Sequence, residues 1–295
     1  MHTPAHLLTD TANIVAAGMA ATALAPMAWK ARHAEPTRDR IGMVAATGAL
    51  VFAVQMVNFP VAAGVSSHLI GAALAVALIG PLAAMGVMTA VIAVQAFVFA
   101  DGGIASLGVN TLTMAVVAVA AAWGVLKLTE RWGESGAPHA ARVALAAVAS
   151  PLAAVTVLTG LYAVAGAPGG PGAAEFAGTM LTSHLVAAVA EGVITAAIVA
   201  LVALAAAPTR ARWIAGSAVI TAGGLSMVAS AYPDALESVL AGFGESAAAP
   251  LLGMFAGYGE GVGVALAGIT GIAIVALVLG GVGAGQRRLN GVAAA

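Results

Sequence analysis

Apolar residues run in long blocks along almost the whole chain, broken at intervals by charges, prolines and glycines. The blocks lie near 11–29, 41–59, 69–83, 84–100, 105–126, 142–165, 179–206, 213–231 and 261–284. About 20 apolar residues carry a helix across a hydrocarbon core about 30 Å thick. The pattern therefore predicts an all-α polytopic membrane bundle of about nine transmembrane helices. Residues 69–100 must hold two short helices, with the break near Gly80, Pro81 and Gly86.

Composition agrees with that reading. The 295 residues are 61% hydrophobic and 8% charged, far from the roughly 25% charge of a soluble domain. Alanine and glycine are abundant and aromatics scarce, so close backbone approach of small residues should pack the bundle. The absence of cysteine excludes disulfides, thiolate metal ligands and cysteine nucleophiles.

Charge position sets the orientation. Lys30, Arg32, Arg38 and Arg40 share one loop, while Lys127, Arg131 and Arg142 share another. Cytoplasmic loops carry the Lys and Arg excess, so an even number of crossings separates the two loops. Residues 69–126 then supply three crossings. With that count Arg210, Arg212, Arg287 and Arg288 also fall inside. The opposite loops hold Asp10, Asp101, Glu175, Asp234, Glu237, Glu245 and Glu260. The N-terminus is expected outside and the C-terminus in the cytoplasm of a cell-membrane protein. Residues 1–29 lack the basic start of a signal peptide, so the mature chain is expected to begin at Met1. Segment 207–212 (APTRAR) reads as a cytoplasmic linker between residues 1–206, with seven helices, and 213–295, with two. The Gly/Pro stretch 166–173 reads as a flexible external linker rather than a phosphate loop.

The candidate chemistry lies outside. His2, His6 and His68 face the same exterior, and neutral imidazole is a common metal ligand. A histidine at position two offers Nδ1, its own amide nitrogen and the free amine of Met1. Together these close a five- and a six-membered chelate ring and leave one corner of a square empty. Such tetragonal nitrogen sites suit Ni(II) or Cu(II). His68 can close the square if residues 60–68 fold back into the bundle. Pro60 disfavours helix at Phe59, Gly64 frees the backbone, and Asn58, Ser66 and Ser67 can satisfy polar groups of non-helical chain at membrane depth. Taken singly, His2 could be an exposed terminal residue and His68 a helix-capping loop residue. His184, Glu191 and Thr195 share one helix face. An ionisable residue such as Glu191 within a span marks either a polar contact in the bundle or a transport path.

The stretch VNFPVAAGVSSHLIGAALAVALIGP, then QAFVFADGGIASLGVNTLTMA and HLVAAVAEGVITA, resembles the CbiM/NikM substrate-binding component of cobalt and nickel transporters of the energy-coupling factor class. The resemblance covers residues 1 to about 205. It implies Met1, His2 and His68 as metal ligands; Asn58, Ser66, Ser67, Asn110, His184 and Glu191 stand beside these as candidates to surround them or line the path. Thr113 stands where the family often has a second asparagine, which would weaken a polar network around Asn110. Residues 232–244, YPDALESVLAGFG, resemble the PDGLE signature of the accessory two-helix component, with Ala235 in place of the usual glycine of a tight turn. The chain thus resembles a fusion of the two components. The resemblance implies a non-enzymatic transporter subunit that captures Ni(II) or Co(II) as substrate, with no organic cofactor. Its implied partners are a transmembrane coupling protein and two cytoplasmic ATPases. No GxxxxGK[ST] loop is present in the sequence. Two alternatives remain at this level: a proton-coupled metal or vitamin transporter using Glu191, and a membrane hydrolase using His184 and Glu191, although neither Gly-x-Ser-x-Gly nor HExxH is present.

Overall fold

The computed structural model describes residues 2–241 and 262–293. Helix α1 (Asp10–Arg32) starts at Thr9, whose hydroxyl accepts from the Ala12 N–H, and α2 (Arg38–Gln55) starts at Thr37 in the same way. A small antiparallel hairpin follows, β1 (Phe59–Ala62) and β2 (Val65–Ser67), turning at Gly64 with φ of 72°. Helix α3 (Ala72–Ile79) is short. Gly80 (φ 79°) and Pro81, at the first turn of α4 (Pro81–Val94), separate it from its successor. A π-helical turn, Gln95–Phe99, ends α4. Beyond a loop, α5 (Leu107–Asn110), a π-helical stretch (Thr111–Val117) and α6 (Ala118–Leu128) run on as one rod. Then come α7 (Gly136–Ala165), α8 (Ala173–Leu204), α9 (Arg210–Gly223), the short α10 (Ala235–Ala241) and α11 (Val262–Ala293).

Each of the nine apolar blocks contains a helix, but they are not equivalent. Among the described residues, six are long and apolar enough to cross a membrane. The eight residues of α3 rise only about 12 Å, less than half of a hydrocarbon core. The crossing expected over 69–83 is therefore a half-length helix, because residues 69–71 are held in non-helical chain and Gly80–Pro81 stops it. Two expected linkers are also ordered. Segment 207–209 is a 3₁₀ turn leading straight into α9. The Gly/Pro stretch is tied to the chain start: the Thr9 N–H donates to the Ala165 carbonyl, and the Ala167 N–H donates to that of Leu7.

Small residues pack the bundle as composition predicts. Gly192 on α8 lies against Ala144 of α7, and Gly271 on α11 lies against the Phe52 ring of α2. Helices α9 and α11 both pack on α2, so the last part of the chain is built onto the first. At the end of the bundle opposite the N-terminus, buried Arg142 donates to the carbonyls of Leu126 and Gly133, and Arg40 donates to that of Ile79.

Gly108 seats α5 directly on the backbone of Ala17 in α1. A Gly108→Val substitution should force these helices apart and cost about 1–3 kcal/mol. Thermal unfolding of the purified protein in detergent checks this, with the midpoint expected to fall by several degrees.

Candidate metal centre

The first residues form an extended segment pushed into the bundle rather than a loose tail. Thr3 is fully buried. Its N–H donates to Asn110 Oδ1 at 2.8 Å, and its carbonyl accepts from Asn110 Nδ2 at 3.2 Å and the Gly103 N–H at 3.0 Å. Ser106 Oγ donates to the same carbonyl. One asparagine side chain thus pairs with Thr3 as a neighbouring strand would. Further along, Asn13 Nδ2 donates to the Ala5 carbonyl at 3.2 Å. Gly103 is needed for contact, since a Cβ there would overlap the Ala5 backbone. The expected weakening of an Asn110 network by Thr113 does not occur. Asn110 is used on Thr3, while the Thr113 hydroxyl bonds its own helix at Val109.

The hairpin delivers His68 to the same place. Glu191 on α8 accepts the Ile70 N–H at 2.9 Å and the Gly71 N–H at 2.8 Å, one on each carboxyl oxygen. Gln55 Nε2, at the end of α2, donates to the Ile70 carbonyl at 2.7 Å, and Gln95 Nε2 donates to Gln55 Oε1 at 2.8 Å. Two helices therefore grip the two residues that follow Leu69, and Gln95 braces one of the gripping side chains. Gly71 sits at φ 77°, and Val51 crowds the space a side chain would take. From the other side, Ser66 donates its N–H to the Pro233 carbonyl at 2.8 Å and its hydroxyl to that of Tyr232 at 2.6 Å.

Between these anchors the rings of His2 and His68 approach to 5.2 Å, tilted by 43°. Both residues are 9% exposed. His68 Nδ1 lies 3.0 Å from the Leu69 carbonyl. A proton shared there leaves Nε2 with the lone pair that a metal needs. Burial, ahead of neighbouring charge, pushes the His68 imidazole down to about 3, so the ring is neutral at physiological pH. His2 Nδ1 lies 2.6 Å from Asp101 Oδ1, a carboxylate at the mouth of the FxDGG loop. The rings border a cavity of about 850 Å³, which Asn58, Asp101, Asp234 and Glu237 also line.

Ala235, where a tight turn was expected to need glycine, is instead the buried first residue of α10. Asp234 Oδ1 accepts the N–H groups of Leu236 and Glu237, and Glu237 Oε2 accepts that of Asp234. This reciprocal capping box makes a left-handed glycine unnecessary.

A family model described as the cobalt uptake substrate-specific transmembrane region, CbiM, matches residues 2–210. The chain belongs to the CbiM family. It is a multi-pass membrane protein of a metal-uptake family. Two crystal structures are similar to the chain in fold. A truncated transition metal transporter is 26% identical, with a TM-score of 0.59 over 68% of this chain and 96% of that one. A transition metal transporter is 28% identical, with a TM-score of 0.54 over 69% and 92%. No curated protein sequence matches the chain.

The structure of this CbiM-family chain brings His2, His68, Asn58 and Asn110 together at one end of the bundle, with Ser66 and Ser67 in the hairpin strand that carries His68. Met1 lies outside the described residues. His184 is buried but does not line the cavity, and its Nδ1 bonds the Met180 carbonyl of its own helix. Glu191 reaches the site through backbone, not through the cavity. Sequence reasoning missed Gln55, Gln95, Asp101, Ser106 and Asn13 as site-building residues. A glutamine within an apolar run is the available signal for the first two, because an uncharged amide there also needs a partner.

Removing the Glu191 clamp frees two buried N–H groups and loosens His68. Glu191→Ala should weaken metal binding by about 10–100-fold, the range of lost supporting contacts at metal sites. Glu191→Gln, which keeps one accepting oxygen, should fall between. Isothermal titration with Ni(II) reads the difference.

Proposed function

We propose that this chain is the metal-capturing membrane subunit of an ATP-driven energy-coupling factor importer for Ni(II) or Co(II). The metal is bound by the Met1 amine, the His2 amide nitrogen and Nδ1, and His68 Nε2, in one plane. The observation that carries this reading is the docked N-terminal segment, whose Thr3 backbone is held by Asn110 so that the His2 ring lies 5.2 Å from that of His68.

Capture exchanges one partner for another at His2. Nδ1, the nitrogen that closes the chelate, lies against Asp101 Oδ1, so metal and carboxylate compete for it and Asp101 gives way as the chelate closes. Planar nitrogens held by a packed bundle favour Ni(II), whereas Zn(II) prefers a tetrahedral set and gains less. The metal reaches the site from outside, with the N-terminus external, the C-terminus cytoplasmic and nine crossings, that of 69–83 made by the half-length α3 together with the non-helical chain before it. Residues 1–206 form the metal-binding component, 207–212 the connection, and 213–295 an accessory component of the PDGLE type. ATP hydrolysis comes from two cytoplasmic subunits that act through a transmembrane coupling protein. The proton-coupled reading has less support, because both Glu191 oxygens are engaged by backbone N–H groups.

Two residues added before Met1 move the amine away from His2 and leave every helix intact. That extension should abolish high-affinity Ni(II) binding in a competitive binding assay, while thermal unfolding stays unchanged. Unchanged affinity would disprove the terminal chelate.

A further inference from the structure

The cavity above the two histidines is larger than a bare ion requires, and among the described residues its carboxylates face no Lys or Arg. Asp101, Asp234 and Glu237 line it. The carboxylates come from opposite ends of the sequence: Asp101 from the loop after α4, Asp234 and Glu237 from the start of α10. Among the described residues no three His, Asp or Glu side chains converge closely enough to hold a metal directly. An ion that keeps its water shell has a different requirement. Six waters at about 30 Å³ each occupy roughly 180 Å³, which the 850 Å³ cavity accommodates. At the edge of the same cavity lies His2, 9% exposed, whose Nε2 has no hydrogen-bond partner. A buried unpaired imidazole nitrogen beside a chamber of carboxylates points to a cation as the chamber's occupant.

We propose that this cavity is an acidic antechamber that first docks the hydrated divalent cation through its waters, before the ion is stripped and passed by Asp101 to His2. The antechamber rests on the metal-capture reading and adds a kinetic role for the last part of the chain. Carboxylates that focus a field at a cleft raise the association rate of a cation without joining the final site. Asp234 and Glu237 are suited to a clean test because their second role, the capping box on α10, tolerates amides. Asparagine caps about as well as aspartate, and glutamine serves at the third position as glutamate does. The Asp234→Asn, Glu237→Gln double variant therefore removes charge and keeps the capping box.

Stopped-flow mixing of aqueous Ni(II) with the full chain, carrying its native N-terminus, reads the effect at low and high salt. The wild type should associate rapidly at low salt and more slowly as salt screens the chamber. The double variant should associate on the order of tenfold more slowly at low salt and lose most of that salt dependence. Its dissociation rate and the absorption band of the loaded site should match the wild type. Glu237→Lys, at an exposed position, should slow loading further. Association equally fast in all variants, with full metal stoichiometry, overturns the antechamber and leaves the chelate standing. A wild type that takes up no Ni(II) overturns the capture reading, and the antechamber with it.

Discussion

Non-helical backbone inside a membrane bundle needs a partner for every N–H and carbonyl, because lipid supplies none. Two segments of this chain accept that constraint, residues 2–8 and the hairpin ending at Leu69–Gly71, and the site lies where they meet. Beyond the short β1–β2 ladder and a few loop backbone groups, both are satisfied by side chains from distant helices. Asn110 serves both sides of Thr3, and Glu191 and Gln55 serve both sides of the 70–71 backbone. An unsatisfied buried group costs about 1–3 kcal/mol, and more where a charge is involved. These partners therefore determine where the two imidazoles stand.

The bundle supplies rigidity to match. Close contacts such as Gly192 of α8 against α7 and Gly108 of α5 against α1 leave little room for helices to slide. The two π-helical stretches flank the 100–106 loop, and π-helical turns often mark functional sites. They aim Gln95 at Gln55 on one side of that loop, and Asn110, just before the second stretch, serves Thr3 on the other. A tightly held pair of imidazoles, rather than a flexible one, is what lets geometry discriminate among metals of similar affinity.

Much of this was legible in the sequence. The apolar blocks located every long helix, Gly80–Pro81 marked the break, and the proline, glycine and serines of 60–67 indicated a folded segment carrying His68. The spacing of Asp234 and Glu237 already contained the capping box, although the missing glycine drew attention away from it. The extent of α3 was not legible, since hydropathy does not distinguish helix from non-helical chain pinned by a remote carboxyl group. Glu191 was recognised as needing a partner, but a backbone segment 120 residues away in sequence leaves no local trace. Gln55 and Gln95 escaped notice because a search for ionisable residues passes over amides. Asp101 was counted as one external acid among several, and only the fold sets it against His2.

The directly bound atoms decide the matter. X-ray absorption spectroscopy of the Ni(II)-loaded chain with its native N-terminus reports their number, type and geometry. A chelate made by Met1, His2 and His68 predicts four nitrogen neighbours in a square plane and a diamagnetic ion. A six-coordinate paramagnetic ion with carboxylate or water oxygens among its neighbours would contradict it.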